Sequence, residues 1–451
     1  MTPFPSSAPL SRRSFLGATL LTAGAVGAPA LAGCTTGGGS GSGSGSSKTV
    51  TVMFKSAEFT KEHIAEFEKL NPGLTIEFIE DDPARLKAMM SAGSPPDFVR
   101  GRAEPLNVFR GLVEPLDPYI DASSVLKRDD LLPINDNNRW DGKTNGTGKY
   151  YSLIKDWSPD ACLWQNTALF EKAKIEPLST TEPISWDELL ELGKKLTVRQ
   201  DGKTVQYGLG LEWAWSVSTP IRLMVAQQGG TLFNADMTEI DFTSPAAQRA
   251  VQWYTDFGRA GIGPTVLNPL PDNADYSTFA AGKMAITKDG FWFGGNFAKA
   301  PAELQKTIRM APAATFGTRM NMSYNGGMGA WIPTKAKNKD GAWKVMEYFM
   351  SGPPAVERAK SGWGLPALKS LWQYIPQELD YQKEAFKTAQ AELEHLVTLP
   401  FSPYATADQV KAAIETQMTD LLKGNISVPD ACVRIQDQIN KDLKRGKELV
   451  G

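Results

Sequence analysis

Residues 48–78 carry the signals of a strand, a helix and a second strand, and that order most limits what the chain can become. Val50, Val52 and Phe54 alternate along Lys48–Lys55, as one face of a strand does. Thr60 stands at an N-cap position, with Phe59 and Ile64 placed as a hydrophobic staple. Ile64 and Phe67 give the helix an apolar face, and Asn71-Pro72-Gly73 ends it. Leu74, Ile76 and Phe78 then alternate again. Two strands joined by one helix pair in parallel, so an α/β fold with helix-covered, mostly parallel sheets is predicted.

Helix starts recur along the chain. Ser185 and Glu188 form a capping box before Leu189, Leu192 and Leu196, and Thr406 and Gln409 form another before Val410, Ile414, Met418 and Leu421. Gly424 suits the stop of that helix. Ser244-Pro245 opens a third helix, since proline tolerates the first turn.

The N-terminus is of another kind. Ser11-Arg12-Arg13-Ser14-Phe15-Leu16 precedes a short run rich in Ala, Gly and Thr, and this resembles a twin-arginine export signal. The run is too short and too weakly apolar for a membrane span. Leu31-Ala32-Gly33-Cys34 resembles a lipoprotein cleavage box, so residues 1–33 are expected to be removed and Cys34 lipidated. Residues 35–47 are almost all Gly, Ser and Thr. They are predicted to form a flexible tether reaching about 20 Å. Export and anchoring to the outer face of the cytoplasmic membrane follow as expectations.

The remainder has the composition of a globular protein, with 41% hydrophobic and 22% charged residues. The net charge of −2 and the lack of a basic block argue against nucleic acid as a partner. After Cys34 only Cys162 and Cys432 remain. Cys432 falls on the face of Ile435, Ile439 and Leu443, as a buried thiol would. A disulfide between the two stays open, because spacing alone does not decide it.

The order of local patterns over the mature chain resembles the extracellular solute-binding proteins of ABC sugar importers, the group that includes maltose-binding protein. The resemblance rests on the first strand-helix-strand unit, then Ser94-Pro95-Pro96-Asp97-Phe98-Val99, then Gly111-Leu112-Val113-Glu114-Pro115. It continues through Gln165-Asn166-Thr167-Ala168-Leu169-Phe170, Trp186-Asp187-Glu188-Leu189, Ala281-Gly282-Lys283-Met284 and Gly290-Phe291-Trp292. Gly326-Gly327, Lys337-Asn338-Lys339-Asp340-Gly341 and Gly364-Leu365-Pro366 complete it. Where many relatives carry Tyr-Asn-Lys this chain has Gln165-Asn166-Thr167, so no ligand role is assigned there. The resemblance implies a type II periplasmic-binding-protein fold of two α/β lobes joined by hinge strands. Residues 48–160 plus 312–350 would form lobe one, and 161–311 plus 352–451 lobe two. It further implies a carbohydrate ligand held between the lobes, a membrane permease as partner, a monomer, and no cofactor or metal.

A sugar offers hydroxyls that need directional donors and acceptors, and C–H faces that suit the π-face of an aromatic ring. The twelve tryptophans are therefore informative. Trp292 follows Asp289-Gly290 after a predicted strand, and Trp363 stands between Gly362 and Gly364; both are read as ligand contacts. Trp157, Trp213 and Trp215 are candidates against a core role, whereas Trp186, Trp253 and Trp343 lie in helical patterns and belong to core or surface. Arg100 and Arg102 follow Phe98-Val99, at the strand end where open α/β sheets bind ligands. Either could bracket hydroxyls or a sugar carboxylate. Glu58 and Asp156 are candidate acceptors, and Gly326 and Gly327 either let backbone approach the ligand or make a plain turn.

Catalysis lacks a signature. His63 and His395 are the only histidines, and no nucleophile elbow or metal-ligand spacing appears. A carboxylate pair for glycoside hydrolysis stays open as the enzymatic alternative, beside a binder of a polyol or other solute.

Overall fold

The computed structural model describes residues 48–450 apart from 144, 212–216 and 271–274. Two sheets organise it. The first has six strands in the order Leu365–Pro366, Leu153–Trp157, Met328–Trp331, Phe98–Arg100, Thr49–Phe54 and Thr75–Glu80. The second has five, in the order Ile308–Ala311, Leu163–Asn166, Met284–Lys288, Lys203–Gly210 and Val198–Gln200. Each carries its own helices and core, giving two α/β lobes.

Val50, Val52 and Phe54 all point into the first core, as their alternation predicts. Phe54 stacks on Phe98 at 5.7 Å and meets Phe349 of the helix Lys339–Ser351 at 4.7 Å. The second core joins Leu163, Leu209 and Ile286 of its sheet to Trp186, Trp253, Ile414 and Ile435 of the covering helices. Thr60, Ser185, Ser244 and Thr406 each cap the helix that follows. His63 adds a part that its type alone does not suggest: its Nδ1 accepts from Thr60 N–H and completes that cap.

The sheets are less parallel than the first unit predicts. Thr49–Phe54 pairs in parallel with Thr75–Glu80 and Phe98–Arg100, and Lys203–Gly210 with Met284–Lys288. The strands at Leu153–Trp157, Leu163–Asn166, Ile308–Ala311, Met328–Trp331 and Leu365–Pro366 pair antiparallel. These are the strands by which the chain leaves one sheet and enters the other, so they run against the βαβ direction.

Segment membership also departs from expectation. Leu365–Pro366, expected in the second lobe, pairs with Trp157 and Asp156 in the first sheet. Ala355, Ala359, Leu368 and Leu371 around it pack on the first core. Conversely Ala314 and Phe316, expected in the first lobe, lie in the second core. The apolar faces of these segments decide the matter, each being buried against the sheet it complements. Cys162 and Cys432 are free, buried thiols, Cys162 beside Asn321 and Cys432 in the second core. The open disulfide alternative is thereby settled against.

Candidate functional site

In a parallel pair the carboxyl ends of both strands share one edge. That edge of the first sheet carries Lys55 and Glu58, after Thr49–Phe54, and Arg100, which ends Phe98–Arg100. The corresponding edge of the second sheet leads from Met284–Lys288 to Gly290 and Trp292. Between them lies a cleft of about 180 Å³. The segments linking the sheets supply Asp156, Trp157, Ser158, Asp160, Ser323, Tyr324 and Gly327 to its walls.

Three tryptophans meet there. Trp157 is nearly buried and donates from Nε1 to Pro366 O at 3.2 Å, so its ring is fixed. Trp292 and Trp363 lie 5.0 Å apart with planes at 49°. Trp363 is 43% exposed and lines the cleft together with Trp292. Gly290 lets the Trp292 segment come this close, because a Cβ there would stand 2.1 Å from Asp160 Oδ1 and 2.2 Å from Ser158 Oγ.

Beside the rings runs a chain of paired charges. Arg100 grips Glu58 with two hydrogen bonds, of 3.0 and 2.6 Å, and reaches Asp81 at 3.4 Å. Lys155 stands 3.4 Å from Glu58 and bonds Asp156, which has Arg358 4.0 Å away. Burial would raise the Glu58 carboxyl, but Lys155 and then Arg100 outweigh it and hold it at about 2. A general acid needs a pKa near the working pH, so Glu58 is unsuited to protonate a leaving group. Its spare lone pairs can still accept from hydroxyls. Three cations and three carboxylates leave this wall neutral overall.

Asp160 ties the two linking segments together. Its carboxylate accepts from Ser158 Oγ at 2.5 Å and from Tyr324 N–H at 2.6 Å, and its own N–H donates to Met322 O at 2.8 Å. At Met328 the register of the neighbouring strands shifts. Such a bulge re-aims backbone and side chains beside a site.

Of the residues singled out in the sequence, Glu58, Arg100, Asp156, Trp157, Trp292, Gly327 and Trp363 come together in this cleft. Arg102 does not. Gly101, at a φ of +104°, turns the chain after Arg100. Arg102 then packs on the Phe401 ring at 4.2 Å and donates to Asn137 O at 3.0 Å. Gly326 follows it, facing Asn137 and Arg102 instead of the tryptophans. Strand alternation would put residues i and i+2 on one face; the positive φ of Gly101, and of Gly326 and Gly327 at +73° and +100°, turns the backbone at both places instead. Trp213, Trp215 and Cys34 lie outside the described residues. Lys55, Lys155, Ser158, Asp160, Ser323, Tyr324 and Gly364 escape the sequence reading. For Lys155 a signal exists, as it precedes Asp156 in an otherwise apolar strand; for the others only the fold brings them here. Among the described residues no group of His, Cys, Asp and Glu could hold a metal ion, and no helix is long and apolar enough to cross a membrane.

A family model described as bacterial extracellular solute-binding protein matches residues 55–352. A maltotriose-binding protein of Pyrococcus abyssi is 24% identical over 394 residues, covering 84% of this chain and 78% of its own. Among solved structures, an ABC substrate-binding protein from Listeria monocytogenes in complex with cycloalternan superposes with a TM-score of 0.72 at 21% identity, covering 87% of this chain and 98% of that one. An ABC transporter solute-binding protein from Thermotoga lettingae bound with alpha-D-tagatose gives 0.72 at 22%, covering 88% and 100%.

Proposed function

Because the chain belongs to the bacterial extracellular solute-binding proteins, we propose that the solute is a carbohydrate, captured between the lobes and passed to an ABC permease without chemical change. The observation that carries this reading is the half-exposed Trp292–Trp363 pair facing a neutral wall of paired carboxylates and cations. An aromatic face takes the C–H side of a sugar ring, and carboxylate oxygens beside cationic donors take its hydroxyls in both senses. The named ligands of similar proteins, maltotriose, cycloalternan and tagatose, agree with it.

The cleft is lined from both lobes and their linking strands, so a ligand touches all of it only when the lobes are together. Ligand then favours the closed form, which is the form a permease would read. Cys34 and the Gly/Ser segment behind it serve to keep this module near the membrane. Detergent-phase partitioning of the wild type, lost in Cys34→Ala, is the expected result for the anchor.

Titration calorimetry against a panel of mono- and oligosaccharides, with chromatography of the recovered ligand, tests the main reading. The expected outcome is one-to-one binding with the sugar recovered intact. Release of smaller sugars, or binding only to solutes without a sugar ring, would overturn it.

A further inference from the structure

Lys155 is an odd member of the cleft. Its side chain is only 2% exposed, and burying an ammonium group is costly unless it is paired. Its place follows from the bulge beside it. Met328 pairs with Asp156 and Gly329 with Ile154, so Lys155 is the extra residue of its strand, without a partner across. Strict alternation would send Lys155 and Asp156 to opposite faces; at the bulge both reach the cleft.

Two carboxylates share this cation. Lys155 Nζ donates to Asp156 Oδ2 and stands 3.4 Å from Glu58 Oε2. Arg100 Nε donates to that same Glu58 oxygen at 3.0 Å, and Arg100 Nη2 to Oε1 at 2.6 Å. The cations thus crowd Oε2 and Oδ2. Glu58 Oε1 keeps a lone pair, and Asp156 Oδ1 has no hydrogen bond among the described residues. Both side chains line the cleft, 19% and 14% exposed.

The other charged groups around Glu58 are Lys55 in its own loop, Glu80 and Asp81 at the end of Thr75–Glu80, Arg358 of the helix Pro353–Ser361 and, on the linking segment, Asp160. Lys155 has the strongest hold on Glu58 of all the cations, and Arg100 follows. Without Lys155, burial would act against the Glu58 charge with Arg100 left to oppose it.

We propose that Lys155 is the positioning residue of the sugar site: tied to Glu58 and Asp156 at one oxygen of each, it keeps Glu58 Oε1 and Asp156 Oδ1 as a pair of acceptors for sugar hydroxyls. This rests on the carbohydrate reading above. Lys155 itself has almost no surface left for a ligand, so it acts through the two carboxylates. A solute with neighbouring hydroxyl donors and no charge of its own fits such a pair.

The test is calorimetry between pH 7 and pH 4 with the sugar that binds most tightly in the panel above, maltotriose being the first probe. Wild-type affinity should change by less than about two-fold over that range, because Glu58 stays ionised throughout. In Lys155→Met the affinity should be weaker at pH 7 and fall by a further factor of about five towards pH 4, as Glu58 takes up a proton. Lys155→Met combined with Glu58→Gln should bind weakly but lose that pH dependence, since the titrating group is gone. Asp81, Asp156 and Asp160 remain in all three proteins, so their titration cancels in the comparison. Should Lys155→Met fail to fold, Lys155→Gln is read by the same profile. A variant profile parallel to that of the wild type, at whatever affinity, makes Lys155 merely structural and overturns the proposal. A pH dependence that survives in the double variant belongs to another group and also overturns it. So does a wild-type fall of about five-fold that Glu58→Gln abolishes, because Glu58 would then titrate despite Lys155. Binding of no sugar in the panel fells the carbohydrate reading and this one with it.

Discussion

At the scale of residues, the cleft is lined by one tryptophan that is nearly buried and by two that keep part of their surface towards it. Trp157 has its indole N–H engaged and its ring nearly buried, whereas Trp292 and Trp363 spend their faces on each other and on solvent. Trp292→Ala should weaken sugar binding by about 1–3 kcal/mol, the scale of burying a large apolar side chain. Calorimetry checks this, and a double variant with Trp363→Ala should lose less than the sum, because the rings touch. Glu58 carries a pH signature. Its carboxyl stands at about 2 against an ordinary 4.5. A lowered pKa means that the folded state holds the ionised form, so its contribution is complete above pH 4.5 and fades as pH falls towards 2. Glu58→Gln should therefore cost on the order of 3 kcal/mol at pH 7, with the gap to wild type narrowing at pH 3 in urea unfolding.

At the scale of elements, the local rules of capping and alternation were legible because they act within a few residues. The helix starts at Thr60, Ser185, Ser244 and Thr406 depend on one side-chain oxygen and the next turn. Two motifs recognisable in the sequence gain their reason only in space. Asp97 accepts from Thr51 N–H at 2.8 Å and from the N–H groups of Lys337 and Asn338 at 2.6 and 3.0 Å. Asn338 in turn caps the helix Lys339–Ser351 through Gly341 N–H at 2.8 Å. Segments some 240 residues apart are thus joined at one buried carboxylate. Asp97→Ala leaves three backbone donors unmet and should cost about 3 kcal/mol. Chemical denaturation would read this, and sugar affinity of the folded fraction should not change.

At the scale of the molecule, Asp160 stitches the two linking segments together, and the proposed capture of a ligand predicts closure of the lobes about them. Ligand should lower the radius of gyration measured by small-angle X-ray scattering; an unchanged value on saturation would argue against lobe closure. The sequence by itself determined the α/β character, the caps, the alternating core strands and the residue types a sugar site requires. Each of these is set by neighbours within a turn or along one strand. Only the tertiary structure decided that Arg100 faces the tryptophans and is neutralised by Glu58, while Arg102, two residues later, is turned away to share Phe401 with Arg222. It also decided that Leu365–Pro366 returns to the first sheet. The physical reason is the same for both. Charge pairing and sheet membership depend on which distant surface a side chain meets, and no local periodicity records that.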